Sequence, residues 1–127
     1  MGENVILMLS SLSVPVTMML TALVIWRFPA EYNGIWAYHT VYSEKSPEAW
    51  AAAQNYFGKL GFFTNLAALV LTVIAFVPVL AVERFQGYGV LVCLITTMAQ
   101  VAVVLVDIFI VEGLLMKKFD KDGKPKQ

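Results

Sequence analysis

The side chains of this chain that could do chemistry are a few polar residues inside long apolar runs. Asp107 is the most demanding of them, because an acid at the centre of a membrane span costs about 2.5–3.5 kcal/mol on insertion scales. It continues a helically spaced set that begins with Thr96, Gln100 and Val103. Such a carboxyl is paired with a cation, held protonated, or part of a proton- or ligand-responsive site. The candidate cations for pairing are Arg27, His39 and Lys59.

Polar and small residues also recur at helical spacing in the other two apolar runs. The first run carries Ser10, Ser13, Thr17 and Thr21, and the second carries Asn65, Ala68 and Thr72. Stripes of this kind predict helices that bury their polar faces against one another, with interhelical hydrogen bonds contributing about 0.6–2 kcal/mol each. The alternative interpretation is a polar cavity or ion path centred on Asp107.

A polar segment, residues 34–61, separates the first and second apolar runs. It holds the single histidine, His39, with Glu44 and Glu48 nearby. A metal site needs several ligands in suitable geometry, and these three residues make no recognisable ligand spacing. The chain also lacks GxSxG, HExxH, P-loop and CxxC motifs. We therefore predict no metal site, no cofactor and no enzymatic activity.

The apolar runs themselves define the architecture that must position these residues. Residues 5–26, 62–82 and 89–115 each reach the length of about 20 residues that crosses roughly 30 Å of hydrocarbon. Hydrophobic residues make up 59% of the 127-residue chain and charged residues only 14%, against about 25% charged in soluble domains. The pattern predicts an all-α membrane protein with three transmembrane helices, forming one membrane domain over residues 1–127. The first run exceeds a signal-peptide core and is predicted to be a retained span.

The polar segment is predicted to contain an additional helix. Ser46 is a good N-cap and Pro47 a good first helical residue. An apolar face then follows at helical spacing: Trp50, Ala53 and Phe57. We predict an amphipathic interfacial helix at the cytoplasmic membrane surface, which turns into the second span near Gly58 and Gly61 and leaves Gln54 and Lys59 elsewhere on its surface.

Basic residues are unevenly distributed, although the formal net charge is zero. The connection over residues 27–61 and the tail over residues 116–127 together hold eight of the nine Lys and Arg residues, and the second connection holds only Arg84. The positive-inside rule then predicts an N-terminus outside and a C-terminus in the cytoplasm. The tail itself is short and polar, and is predicted to be frayed.

The sequence YHTVYSEKSPEAWAAAQNYFGK resembles the signature of the SdpI/YfhL family of small bacterial integral membrane proteins. The matching positions are Tyr38, Thr40, Ser43, Ser46, Glu48, Trp50, Gln54, Asn55, Tyr56, Phe57 and Gly58. As in the family, the motif precedes a membrane span. One position departs from the pattern, because His39 stands where the family usually has Arg. A permanent bidentate cation is thereby replaced by a titratable imidazole.

This resemblance implies a multi-pass protein of the bacterial inner membrane that protects the cell against a membrane-active peptide toxin. The mechanism that we predict is stoichiometric binding, in which the polar segment and the faces of the spans bind the toxin or its target. It brings no cofactor and no catalytic residue. The candidate binding residues that it implies are Tyr38, His39, Thr40, Ser43, Ser46, Glu48, Trp50 and Asn55. The intramembrane polar candidates, taken from the spans, are Asn65, Gln100 and Asp107.

Two other functions stay open from the sequence. One is a small accessory subunit of a larger membrane complex, and the other is a small oligomeric transporter centred on Asp107. The expected partners are the lipid bilayer, a peptide toxin or another membrane protein, and further copies of the same chain. Nucleic acid is not expected as a partner.

Overall fold

Three long helices form the protein in a computed structural model, which describes residues 2–126. Helix α1 spans Gly2–Arg27, α2 spans Pro47–Ala81 and α3 spans Gly89–Lys118, with short 3₁₀ helices at Ser43–Lys45 and Glu83–Tyr88. All three long helices are apolar and long enough to cross a membrane. Within residues 2–126 there is no β-strand, only a bridge between Phe119 and Pro125. The predicted all-α architecture with three membrane-length apolar helices is confirmed.

Helix α2 begins where the sequence predicts a helix start, but it does not turn. The Ser46 hydroxyl accepts a hydrogen bond from the Ala49 backbone N–H at 3.0 Å, and Pro47 is the first helical residue. The helix then continues without interruption for 35 residues. That is about 52 Å of helix, well over the roughly 30 Å of a bilayer core. The separate interfacial helix is therefore a wrong prediction, since this segment is the first part of α2.

The glycines at which a turn was predicted are contact points between helices. A Cβ on Gly58 would lie 2.5 Å from the Trp26 Cβ, and one on Gly61 would lie 3.1 Å from the Ala22 Cβ. The buried positions of α2 continue in steps of three and four residues through Asn65, Ala68 and Thr72. Small residues at such spacing let two membrane helices approach closely. The glycines thus serve the α1–α2 contact and stay helical.

The polar face predicted for α1 is wrong. Ser10, Ser13 and Thr17 are exposed, and the residues that α1 buries are Asn4, Ser11, Pro15, Ala22 and Ile25. The Ser13 hydroxyl donates to the Ser10 carbonyl at 2.6 Å within the same helix. A serine satisfied by its own helix can face lipid, so hydroxyl residues alone do not mark the packed face of a span.

Ser11 links α1 to α3. Its hydroxyl donates to the Cys93 Sγ at 3.2 Å and lies 3.3 Å from the Thr96 Oγ1. At the same end of the bundle, the Asn4 amide donates to the Gln86 carbonyl at 3.0 Å. These contacts fix the start of α1 against α3 and the second connection.

The tail, which the sequence predicts to be frayed, is folded over residues 119–126 (the tail segment). The Asp120 carboxylate accepts hydrogen bonds from the backbone N–H groups of Asp122 and Lys124, each at 2.9 Å. These N–H groups hold the pKa of Asp120 below its ordinary value, the Lys124 bond having the largest effect. Gly123 takes a positive φ of 79° to close the turn. The prediction of a frayed tail is therefore wrong.

The tail segment packs against residues 28–46, which connect α1 to α2 (the loop segment). The Tyr42 hydroxyl donates to the Phe119 carbonyl at 2.6 Å, and the Lys45 ammonium donates to the Lys121 carbonyl at 2.6 Å. The Ser46 hydroxyl donates to the Gly123 carbonyl. The loop and tail segments therefore form one end of the molecule, called here the loop end.

Candidate functional site

Tyr38 attaches the loop segment to α2 through its backbone. Its N–H donates to the Gln54 Oε1 at 2.7 Å, and the Gln54 Nε2 donates back to the Tyr38 carbonyl at 2.8 Å. One side-chain amide thus satisfies both backbone groups of Tyr38, as an adjacent strand would. Gln54 is only 1% exposed, so its predicted surface position is wrong.

The Tyr38 side chain continues from α2 to α3. Its ring stacks on Phe57 with 4.7 Å between centroids, and its hydroxyl donates to the Glu112 Oε1 at 2.8 Å. Burial raises the pKa of the Tyr38 hydroxyl far above its ordinary value, and the neighbouring Glu112 carboxylate raises it further. Tyr38 is therefore a neutral hydrogen-bond donor that joins the loop segment to both helices.

Thr40 and Ser43 are used within the loop segment itself. The Ser43 hydroxyl accepts from the Thr40 N–H at 2.8 Å and donates to the Thr40 carbonyl at 2.9 Å, and the Thr40 Oγ1 accepts from the Ser43 N–H at 3.1 Å. Ser43 is fully buried. Ser46 caps α2 and holds the tail segment, so the buried Ser43 and Ser46 hydroxyls both donate and accept within the protein. Thr40 is half-buried, and its hydroxyl accepts from the Ser43 N–H.

His39 lies on the outer side of the loop segment. Its Nδ1 is 2.7 Å from the Glu44 Oε1, and its Nε2 faces the Gly34 carbonyl at 2.5 Å. The ring edge meets Trp50 with 4.8 Å between centroids. The hydrogen bond to Glu44, and then the one to Gly34, raise the pKa of the imidazole. Both nitrogens face acceptors, so the doubly protonated ring suits this position best.

The remaining motif residues divide into buried and accessible ones. Trp50 is 3% exposed and its indole N–H donates to the Ala30 carbonyl at 3.1 Å. Asn55 is exposed and lines a hollow of about 330 Å³ between the loop segment and α2, near Trp26 and Tyr32. Glu48 is exposed on the first turn of α2. Of the eight binding candidates implied by the motif, His39, Glu48 and Asn55 are exposed, Thr40 is half-buried and the other four are buried.

A larger concave feature lies along the seam between α2 and α3 (the groove). Its central part has a volume of about 390 Å³ and is lined by Thr64, Ala67, Ala68, Leu71, Ala102, Val103, Val106, Asp107 and Ile110. It continues past Ile110 toward Lys59 and Tyr56 at the loop end, and past Val103 toward Gln100 and Thr96 at the other end. The rim residues Leu71, Val106 and Ile110 are exposed, so the groove opens on the outer face of the bundle.

Asp107 lies at the floor of this groove. It is 2% exposed, and the Thr64 hydroxyl donates to its Oδ2 at 2.6 Å. Among the described residues the single ion pair within 4.0 Å joins His39 and Glu44. Of the alternatives that the sequence left open for Asp107, pairing with Arg27, His39 or Lys59 is not the one formed in this structure. Thr64 was missed by sequence reasoning, because it lies one residue before the buried stripe of α2 and its contact depends on the register of two antiparallel helices.

Two buried side-chain amides also have an oxygen that receives no hydrogen bond. Gln100, 1% exposed, donates through its Nε2 to the Thr72 Oγ1 at 2.9 Å, and Asn65 donates through its Nδ2 to the Gly61 carbonyl at 2.8 Å. The Gln100 Oε1 and the Asn65 Oδ1 are buried without a hydrogen-bond partner among residues 2–126. The Gln100 Oε1 is thus a buried acceptor without a donor in the part of the groove that lies away from the loop end.

Fold and site together define a small helical protein with three helices long and apolar enough to cross a membrane, and with a lateral groove that has Asp107 at its floor. In the described part of the chain, no group of three or more His, Cys, Asp or Glu side chains is placed to hold a metal ion. No family model, curated protein or solved structure matches the chain.

Proposed function

We propose that this chain is a membrane immunity protein that protects a bacterial cell by binding a membrane-active peptide in the groove between α2 and α3. The groove carries the proposal. It opens on the outer face of two membrane-length helices, so a peptide already within the bilayer can enter it sideways. Its walls are apolar, and small residues such as Ala67 and Ala102 let a peptide backbone approach.

The resemblance of residues 38–58 to the SdpI/YfhL signature supports the same role. The motif residues act indirectly, because Tyr38, Gln54 and Phe57 fix the loop segment to α2 and α3 at the end of the groove. In this proposal the motif maintains the spacing of the two helices that form the groove. His39, Glu48 and Asn55 are the motif residues that could touch a part of the peptide outside the membrane.

The proposed location is the bacterial inner membrane, with the N-terminus outside and the loop end in the cytoplasm. The eight-to-one division of Lys and Arg supports this orientation. Single cysteines at Gly2, Gln86 and Lys124, in a Cys93→Ser background, test it in intact cells. We expect an impermeant thiol reagent to label the first two and spare Lys124. Equal labelling at Gln86 and Lys124 would refute the topology.

Protection is tested by filling the groove. Ala102→Phe places an aromatic ring in the central part of the groove, and Leu105→Phe adds one at an exposed position that does not line it. In sensitive cells that are challenged with the membrane-active peptide, the parent and Leu105→Phe should protect equally at equal expression. Ala102→Phe should not protect. If Ala102→Phe protects as well as the parent, the groove is not the binding site.

A small oligomeric transporter centred on Asp107 is a second candidate function, and the unpaired acid at membrane depth favours it. A further copy would have to close the groove before an aqueous path could exist. Proton-coupled flux in liposomes that is lost in Asp107→Asn would support this function over immunity. Co-purification of a larger membrane protein in gentle detergent would instead support an accessory subunit.

A further inference from the structure

We infer that the groove is built to receive a membrane-embedded helix that carries a basic residue opposite Asp107. The inference rests on the proposed function, and it names the chemical feature by which the groove would recognise its peptide. It follows from the missing donors to Asp107 and Gln100, the depth of Asp107 and the absence of basic residues from the spans. Lys59, at the loop end of the groove, makes no ion pair with Asp107 within 4.0 Å.

The Asp107 carboxylate receives one hydrogen bond from the chain where it could accept several. Thr64 donates to its Oδ2 at 2.6 Å, and no described residue donates to its other oxygen. Carboxylates taken out of water are normally paired and fully hydrogen-bonded. A ligand that supplies an ammonium or guanidinium group would meet both needs, whereas an apolar or acidic ligand would meet neither.

The depth of Asp107 determines where the donor must lie on the ligand. Asp107 precedes Leu115, the last residue of the apolar run, by eight residues, which is about 12 Å along a helix. A basic side chain reaching it must therefore come from a segment that is itself inside the bilayer. Gln100, whose Oε1 lacks a donor, precedes Asp107 in α3 by seven residues, so it lies about 10 Å farther from the loop end. A ligand helix with a second donor two turns from its basic residue would match both positions.

The spans of a second copy of this chain do not supply the cation. Residues 5–26, 62–82 and 89–115 contain no Lys or Arg, so no span of another copy could bring a cation to Asp107. The molecule that brings a basic residue to Asp107 is therefore expected to be different from this chain. The apolar lining and the small residues Ala67, Ala68 and Ala102 suit a single helix.

The test uses apolar helical peptides of 20 residues, each with one variable residue. This residue lies about 12 Å from the peptide end that is expected next to the loop end, so that it matches the depth of Asp107. The residue is Lys, its uncharged near-isostere norleucine, or Glu. Binding of each labelled peptide to the whole protein in nanodiscs is followed by energy transfer at neutral pH. For the parent protein, we expect the Lys peptide to bind about tenfold or more tightly than the norleucine peptide, and the Glu peptide to bind most weakly.

Variants separate this inference from the proposed function. Asp107→Asn keeps the shape of the side chain and should abolish the preference for Lys while still binding the norleucine peptide. Asp107→Leu checks that the loss comes from charge and not from the amide. Ala102→Phe should reduce binding of every peptide. Circular dichroism confirms that each variant is folded.

The outcomes are distinct. Groove-dependent binding without a preference for Lys, or a preference that survives Asp107→Asn, would overturn the inference and leave the proposed function standing. Binding that Ala102→Phe does not affect would overturn both. Gln100→Leu should lower the affinity only for peptides that carry a second donor two turns from the Lys, and an equal loss for all peptides would refute the proposed second contact.

Discussion

Replacement of Gly58 by alanine should destabilise the bundle although it adds only one methyl group. The new Cβ would lie 2.5, 2.7 and 2.8 Å from the Cβ, Cα and N of Trp26. Carbon atoms in contact lie about 3.5–4.0 Å apart, so α1 and α2 must separate by about 1 Å. Two of the three obstructing atoms belong to the α1 backbone, so a rotamer change cannot relieve the clash.

The expected cost follows from overpacking in a well-packed interior, about 1–3 kcal/mol. The same change at Gly113 is the matched control, because nothing lies within 4 Å of a Cβ built there. Gly113→Ala should be neutral or slightly stabilising, since alanine favours a helix over glycine. Gly61→Ala, with the Ala22 Cβ at 3.1 Å, should lie between the two.

The measurement is reversible unfolding in mixed detergent micelles with increasing dodecyl sulfate, followed by circular dichroism and tryptophan fluorescence. We expect the order Gly113→Ala, Gly61→Ala, Gly58→Ala from most to least stable. A Gly58→Ala protein as stable as Gly113→Ala would show that α1 and α2 do not approach closely at Trp26.

Three further predictions concern the loop end. Because bonds to Glu44 and Gly34 raise the pKa of His39, protonated His39 should stabilise the loop segment. That contribution should be complete below about pH 6.5 and lost as the pH rises through the raised value. The measurement is the protection of the loop amides from hydrogen exchange, relative to their intrinsic exchange rate at each pH. Equal protection at pH 5.5 and 8.5 would contradict the prediction, and His39→Gln is the control. Gln54→Ala leaves the buried N–H and carbonyl of Tyr38 unpaired, at about 1–3 kcal/mol each. It should lower the unfolding midpoint, whereas the exposed neighbour Asn55→Ala should not, and equal midpoints would refute the role of Gln54. Gly123→Ala should release the tail segment, because φ is 79° and a Cβ would lie 2.8 Å from the Lys45 backbone. We expect faster proteolysis of residues 119–126 in this variant than in the exposed-surface control Lys124→Ala. Unchanged cleavage would contradict this prediction.

The sequence alone determined the number of long helices, because composition and run length act locally. Residues 62–82 and 89–115 are apolar over a membrane thickness, and nothing but a helix satisfies its own backbone there. The start of α2 was equally local, since Ser46 and Pro47 need only the first turn of the helix to act. The buried stripes of α2 and α3 were also predicted, because Asn65, Thr72, Gln100 and Asp107 are too polar to face lipid.

Only the tertiary structure decided which polar groups meet. Gly58 and Gly61 have the composition of a turn, yet they stay helical because α1 lies against them at Trp26 and Ala22. Serines of α1 were misassigned because a hydroxyl can be satisfied within its own helix, so its type does not report its face. Gln54 was predicted to lie at the surface, but the loop segment covers it and Tyr38 hydrogen-bonds to it.

The partner of Asp107 depends on the register between α2 and α3. That register arises only when the two helices pack, so it cannot be read from either apolar run alone. Composition predicted the acid at membrane depth and offered Arg27, His39 and Lys59 as its cations. Packing instead placed Thr64 beside it and His39 beside Glu44. The sequence specifies which residues carry a charge. Which groups lie within a few ångströms of that charge is decided by the packing of helices that are far apart in sequence.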